Sequence, residues 1–187
     1  IRTSGIANVS DNHFIDCTQQ FVLVYGENFT FSNNIGKKIN TNTEWLSPVI
    51  LIKSPTGINT FTGNTINAPY STFVSLEGNS SCSFTGNTIT GKTFYSRVDR
   101  TNSTASVKIQ GNTIQCATIT NISSGTPNSF KTVEVLNNTI TWGIFLNTGI
   151  TNITNYVCSG NTLLNCYFPA TISQATNQFY DNNKTLK

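Results

Sequence analysis

The sequence predicts an all-β, right-handed parallel β-helix, a solenoid of about eight coils with an internal asparagine ladder. Three observations predict it. First, one phrase recurs: an apolar residue, two spacers, an Asn, then often Thr and an aliphatic residue. Its copies read VSDNHF, FSNNI, FTGNTI (twice), IQGNTI, VLNNTI, CSGNTL and FYDNNKT. The shared asparagines are Asn12, Asn34, Asn64, Asn87, Asn112, Asn138, Asn161 and Asn182, with steps of 22, 30, 23, 25, 26, 23 and 21. Second, strand formers dominate every apolar window, and no stretch shows sustained helical periodicity. Third, charged residues are only 10% of the chain, while Asn (26), Thr (30) and Ser (18) carry its polarity. That composition suits a long regular stack better than a charged globule.

Ahead of most copies lies a second apolar stretch: 21–25, 49–53, 73–77, 95–99, 117–121, 143–147 and 170–174. Gly, Pro, Ser and Asn clusters separate it from the next phrase. One coil therefore reads strand, turn, strand, Asn corner, strand, turn. Asn tolerates left-handed backbone and can bond the chain around a sharp corner. Gly63, Gly86, Gly111 and Gly160 precede it in four copies and ease that corner. With coils stacked about 4.8 Å apart, each Asn lies under the next and the amides can form a ladder. Val9, Phe31, Phe61, Phe84, Ile109, Val135, Cys158 and Phe179, three before each Asn, are expected to point inward. So are Phe14, Ile66, Ile89, Ile114, Ile140 and Leu163, two after it.

These F-x-x-N and G-N-T-I repeats resemble those of the pectate-lyase-like parallel β-helix superfamily, over about residues 6 to 184. The F-x-x-N form is also similar to polymorphic outer-membrane adhesins. The resemblance implies the fold and leaves open lyases, glycoside hydrolases, viral tailspikes and surface adhesins.

Positions repeated once per coil form columns. Aligning the first strands gives one outward column of Tyr25, Lys53, Glu77, Asp99, Asn121, Asn147 and Gln174. A second, two residues earlier, holds Leu23, Leu51, Ser75, Arg97, Ile119, Phe145 and Ile172. Glu77 and Asp99 on adjacent coils then sit about 5 Å apart at the backbone. That spacing suits carboxylate-pair chemistry on an acidic glycan, with Arg97 holding a sugar carboxylate. The alternative is a surface patch of Lys53–Glu77 and Arg97–Asp99 ion pairs. The apolar members Leu23, Leu51, Ile119, Phe145 and Ile172, with Lys53 beside them, form a candidate ligand or self-association face. Trp45 and Trp142 are placed to cover or extend it.

A formal charge of +3 without a basic run excludes nucleic acid as an expected partner, and no apolar run is long enough for a membrane span. The 187 residues make one domain, 1–187, and a start at Ile1 without Met suggests a processed product or a fragment. Cys17, Cys82, Cys116, Cys158 and Cys166 are odd in number and mostly at apolar positions, so they read as small buried hydrophobes, with a disulfide framework as the alternative. With no CxxC pair and His13 the sole histidine, neither a metal nor a cofactor is expected. Eight N-x-[ST] sites are near the number chance gives for this composition. Asn79 and Asn102, in Ser/Thr-rich turns, are the expected accessible ones. Thr65, Thr88, Thr113, Thr139 and Thr162 form one column after the Asn. A single corner column argues against ice binding.

The expectation that emerges is a non-catalytic, extracellular or surface-exposed fibre, spike or adhesin that associates with sister chains or binds glycans. A polysaccharide lyase or hydrolase acting through Glu77, Asp99 and Arg97 is the alternative.

Overall fold

In the computed structural model, all strands pair in parallel, and the strand columns form two stacked sheets. The structure describes residues 2–17, 22–25, 27–37, 39, 47–53, 57–78, 80–99, 105–124, 128–146, 150–167 and 175–186. Within these, only backbone placement is described for 2–4, 97–99, 120–124, 128–129, 143–146, 150–152 and 167.

The eight-stranded sheet stacks the strands that lead into each Asn corner, in sequence order. They are Ala7–Ser10, Phe29–Ser32, Ile58–Thr62, Ser81–Thr85, Ser106–Gln110, Asn128–Leu136, Ile150–Ser159 and Ala175–Asp181. The eleven-stranded sheet holds the strands that leave the corner. In the first coils these are two separate strands, such as Ile35–Lys37 and Ile50–Lys53. In the middle coils the two merge into long strands, Thr65–Glu77, Thr88–Asp99 and Thr113–Ser124, so the expected turn between them is absent there. The stack makes about six turns rather than eight.

Each strand alternates faces, so every second residue enters the interior. Phe29, Phe31, Phe61, Phe73, Phe84 and Phe94 are fully or almost fully buried. Phe61 and Phe84 stack at 4.8 Å with planes 13° apart, and Phe84 meets Phe94 at 4.9 Å. Each such ring contributes about 1.5–3 kcal/mol by leaving water. Further along, the same slot narrows to Ile109, Val135 and Cys158, all buried. On the other side of the corner Ile66, Ile89, Ile114, Ile140 and Leu163 are buried as expected. Gly36 holds that slot in the second coil, where a Cβ would meet Ile66 Cδ1 at 2.9 Å and Ile39 Cγ1 at 3.2 Å.

The asparagine ladder runs from Asn12 to Asn183. In each middle rung, Oδ1 accepts from the backbone N and the Nδ2 of the preceding asparagine. Asn87 Oδ1, for instance, lies 3.0 Å from Asn64 N and 2.9 Å from Asn64 Nδ2. Its own Nδ2 donates to Phe61 O at 2.9 Å and to Asn112 Oδ1 at 2.9 Å. One carboxamide thus uses two acceptor sites and both donors. It also satisfies a backbone N–H that the corner has turned away from the strand ladder.

Two expectations about the corner are corrected. The left-handed residue is the one before the ladder asparagine: Asp11, Asn33, Gly63, Gly86, Gly111, Asn137, Gly160 and Asn182, with φ between 51° and 68°. The last rung is therefore Asn183, whose Oδ1 accepts from Asn161 N and Nδ2 at 3.1 and 2.8 Å. Asn182 takes the left-handed place and is exposed. The whole last phrase shifts by one residue. Tyr180 pairs with Cys158 and packs on the core, whereas Phe179 is 55% exposed.

Candidate functional site

The first-strand face is real in the early coils and slips later. Tyr25, Lys53 and Glu77 are register partners, as are Leu23, Leu51 and Ser75. Leu23 and Leu51 are half-buried on this outer face. In the next coil, however, Glu77 pairs with Val98 and Ser75 with Ser96. Arg97 pairs with Leu76, and Asp99 lies one residue beyond Glu77's partner. The pairs Ala68–Gly91 and, past a bulge, Thr72–Thr93 stand one residue off the expected Glu77–Asp99 alignment on either side of that bulge. A one-residue slip exchanges the two faces of a strand. At the backbone, Asp99 is therefore not the register partner of Glu77.

Glu77 has a different neighbour. Its Oε2 lies 3.1 Å from Lys53 Nζ, and both side chains are about two-fifths exposed. In that much water the pair contributes little. Lys108 and Glu134 make a looser contact of 4.0 Å on the opposite sheet.

Ile119 leaves the expected apolar column altogether. It is 1% exposed and belongs to the core, because Tyr95 pairs with Thr120 and so brings Ile119 alongside Phe94. Phe145 falls opposite Ile119 in the register, between the pairs Thr118–Ile144 and Thr120–Leu146. Ile172 lies outside the described residues, as do Trp45, Asn79, Asn102, Asn147 and Gln174. Of the other sequons, Asn8, Asn28 and Asn137 are exposed. The Asn183 amide is committed to the ladder, donating to Cys158 O at 2.9 Å.

The five cysteines carry free thiols. Cys82, Cys116 and Cys158 are buried, as small hydrophobes would be. Burial pushes the Cys116 thiol up to about 12 and the Cys158 thiol to about 11. Cys166 is raised by burial as well, opposed by hydrogen bonds with the backbone at Leu164 and Trp142. Among the described residues no three His, Cys, Asp or Glu side chains gather as a metal-binding group.

Two residues have roles that the sequence pattern does not reveal. Asn59 occupies an inward slot within Ile58–Thr62, where Oδ1 accepts from Phe29 N at 3.3 Å and Nδ2 donates to Ser80 Oγ at 2.8 Å. Its one signal is an Asn on the apolar phase of an alternating strand. Trp142 forms a second corner four residues after Asn138, with φ 61° and 61% exposure. Nothing in its local sequence announces that conformation.

The fold and the ladder define the class: a parallel β-helix protein with an asparagine-lined interior. Comparison with known proteins finds no matching family model, no matching curated relative and no matching solved structure.

Proposed function

We propose that this chain is a non-catalytic, extracellular or surface-exposed β-helical rod, of the fibre, spike or adhesin kind, that displays its faces to glycans or to sister chains. The F-x-x-N and G-N-T-I repeats support placing it with the pectate-lyase-like β-helices. The observation that carries the reading is the unbroken ladder from Asn12 to Asn183. Continuous internal hydrogen bonding makes each coil a support for the next, and outward positions beside the corner, such as Thr65, Thr88, Thr113, Thr139 and Thr162, form a column of one side chain per coil.

Register favours this reading over polysaccharide cleavage. Glu77 faces Lys53 rather than a second carboxylate, and Asp99 stands out of step with it. Localisation outside the cell fits a surface of amides and hydroxyls with few charges.

The test combines light scattering, retention on immobilised glycans and turnover assays, using the wild type, Leu51→Glu and Glu77→Gln. The expected result is retention, or an oligomer that falls to monomer in Leu51→Glu, with no turnover. Cleavage of an acidic polysaccharide that Glu77→Gln abolishes at unchanged Tm would overturn the proposal in favour of a lyase or hydrolase. A monomer retained by no glycan would overturn it too.

A further inference from the structure

Eight described residues other than glycine have positive φ: Asp11, Asp16, Asn28, Asn33, Asn137, Trp142, Asn165 and Asn182. Seven are Asp or Asn, whose short side chains bond the local backbone and tolerate this conformation. Trp142 is the exception. A bulky residue in the left-handed region is a true outlier, and such strain concentrates where function needs it.

Packing does not account for the indole, which is 61% exposed. The equivalent corner of two other coils, also four residues past the ladder asparagine, uses Asp16 and Asn165. The fold thus accepts a short polar residue at this corner and gains little from an aromatic. At the kink the Trp142 backbone hydrogen-bonds the Cys166 thiol, whose Sγ also lies 3.2 Å from Ile140 O.

The surroundings indicate a ligand class. Thr141 pairs with Leu164 and Gly143 with Cys166, so the left-handed Trp142 and Asn165 stand next to each other on adjacent coils, about 5 Å apart at the backbone. Asn165 is exposed, as are Gln115 and Thr139 on the same side of the corner. An aromatic ring open to solvent, with an exposed amide at the neighbouring position of the next coil, matches the C–H face and a hydroxyl of a pyranose. The cross-coil neighbour Asn165 is uncharged, which favours a neutral sugar over a uronate.

We propose that Trp142, with Asn165 beside it, is a stacking site for a neutral pyranose glycan at the second corner of the β-helix. The assignment rests on the glycan-binding branch of the function proposed above and gives it a location. Bound sugar covers the indole, and Asn165 hydrogen-bonds a ring hydroxyl across the coil step.

The test is titration of the protein, Trp142→Asn and Asn165→Ala with cellohexaose, chitohexaose and mannohexaose. Intrinsic fluorescence and calorimetry provide the readouts, with polygalacturonate as an acidic control. The expected result is binding of at least one neutral hexasaccharide with a shift in Trp142 emission. Affinity should fall at least tenfold in Trp142→Asn, whose Tm is equal to or above that of the wild type because Asn suits the backbone. Asn165→Ala should weaken binding several-fold. Wild-type binding that Trp142→Asn leaves within twofold would overturn this site while leaving the wider reading intact. A preference for polygalacturonate would overturn the neutral-sugar assignment. Absence of binding to every glycan by the wild type would remove the site together with the glycan branch.

Discussion

Asn87 Oδ1 accepts two hydrogen bonds from Asn64, from its backbone N at 3.0 Å and its Nδ2 at 2.9 Å. Both partners are buried. Truncation to Asn87→Ala strands these two donors and removes the amide that reaches Phe61 O. A buried polar group left without a partner costs about 1–3 kcal/mol, so the three groups together cost roughly 3–9 kcal/mol. Urea denaturation should show the midpoint falling accordingly. The same truncation at Asn183, where the amide is half-buried, should cost roughly half as much or less. Equal losses at the two positions would mean that the ladder is not the source of the effect.

The left-handed corner position discriminates among glycines. A Cβ on Gly86 or Gly111 meets nothing within 4 Å, so Ala there bears only the backbone penalty of about 1–2 kcal/mol. At Gly63 the added Cβ comes within 2.7 Å of Asn33 Oδ1, and at Gly160 it overlaps Asn137 Oδ1. The loss should therefore rise from Gly86→Ala to Gly63→Ala to Gly160→Ala. Asn137→Gly should recover part of the last, since it removes the atom in the way. Thermal melts of the four variants check the order and the recovery.

The periodic part of this molecule is legible in the sequence, because one physical demand produces it in every coil. A corner needs a left-handed residue and a partner for a stranded N–H, and the G-N or N-N pair supplies both. The letters do not say which asparagine of a pair does which job. In Asn33-Asn34 the second forms the rung, as the spacing predicts, whereas in Asn182-Asn183 the spacing points one residue too early. The ladder bonds decide that choice, since Asn183 Oδ1 faces Asn161. The candidate site is less legible. Aligning the first strands by their apolar letters alone leaves a one-residue ambiguity, and the pairing of Ser75 with Ser96 and Glu77 with Val98 puts Arg97 and Asp99 out of column. Ile119 then falls into the core, where its hydrophobicity fits as well as it would at an interface.

The Lys53–Glu77 contact, for all its 3.1 Å, should contribute little to stability. Both side chains remain open to water, and exposed pairs typically couple by less than about 1 kcal/mol. A double-mutant cycle with Lys53→Met and Glu77→Gln should give a coupling below that value, declining further in salt of about 1 M as screening shortens its reach. A coupling of roughly 2 kcal/mol or more would show that this patch is drier than its exposure implies.

The buried thiols link stability to alkaline pH with a definite sign. Cys116 stays protonated in the folded chain up to about 12, against an ordinary value of 9.0, because burial disfavours the thiolate. Between those values the unfolded chain releases a proton that the folded chain keeps, so each step up in pH favours unfolding. The contribution is fully present below about pH 9 and is lost towards about pH 12. Cys158, raised to about 11, adds to the decline over the lower part of that range. Urea midpoints should fall across about pH 9 to 11, and Cys116→Ala should flatten part of that slope at the expense of lower stability at neutral pH. Below about pH 8.5 iodoacetamide should modify the half-buried Cys17 well before Cys82, Cys116 or Cys158. Rapid labelling of Cys116 in the native protein would mean that the coil around Gly91 opens far more readily than its packing implies.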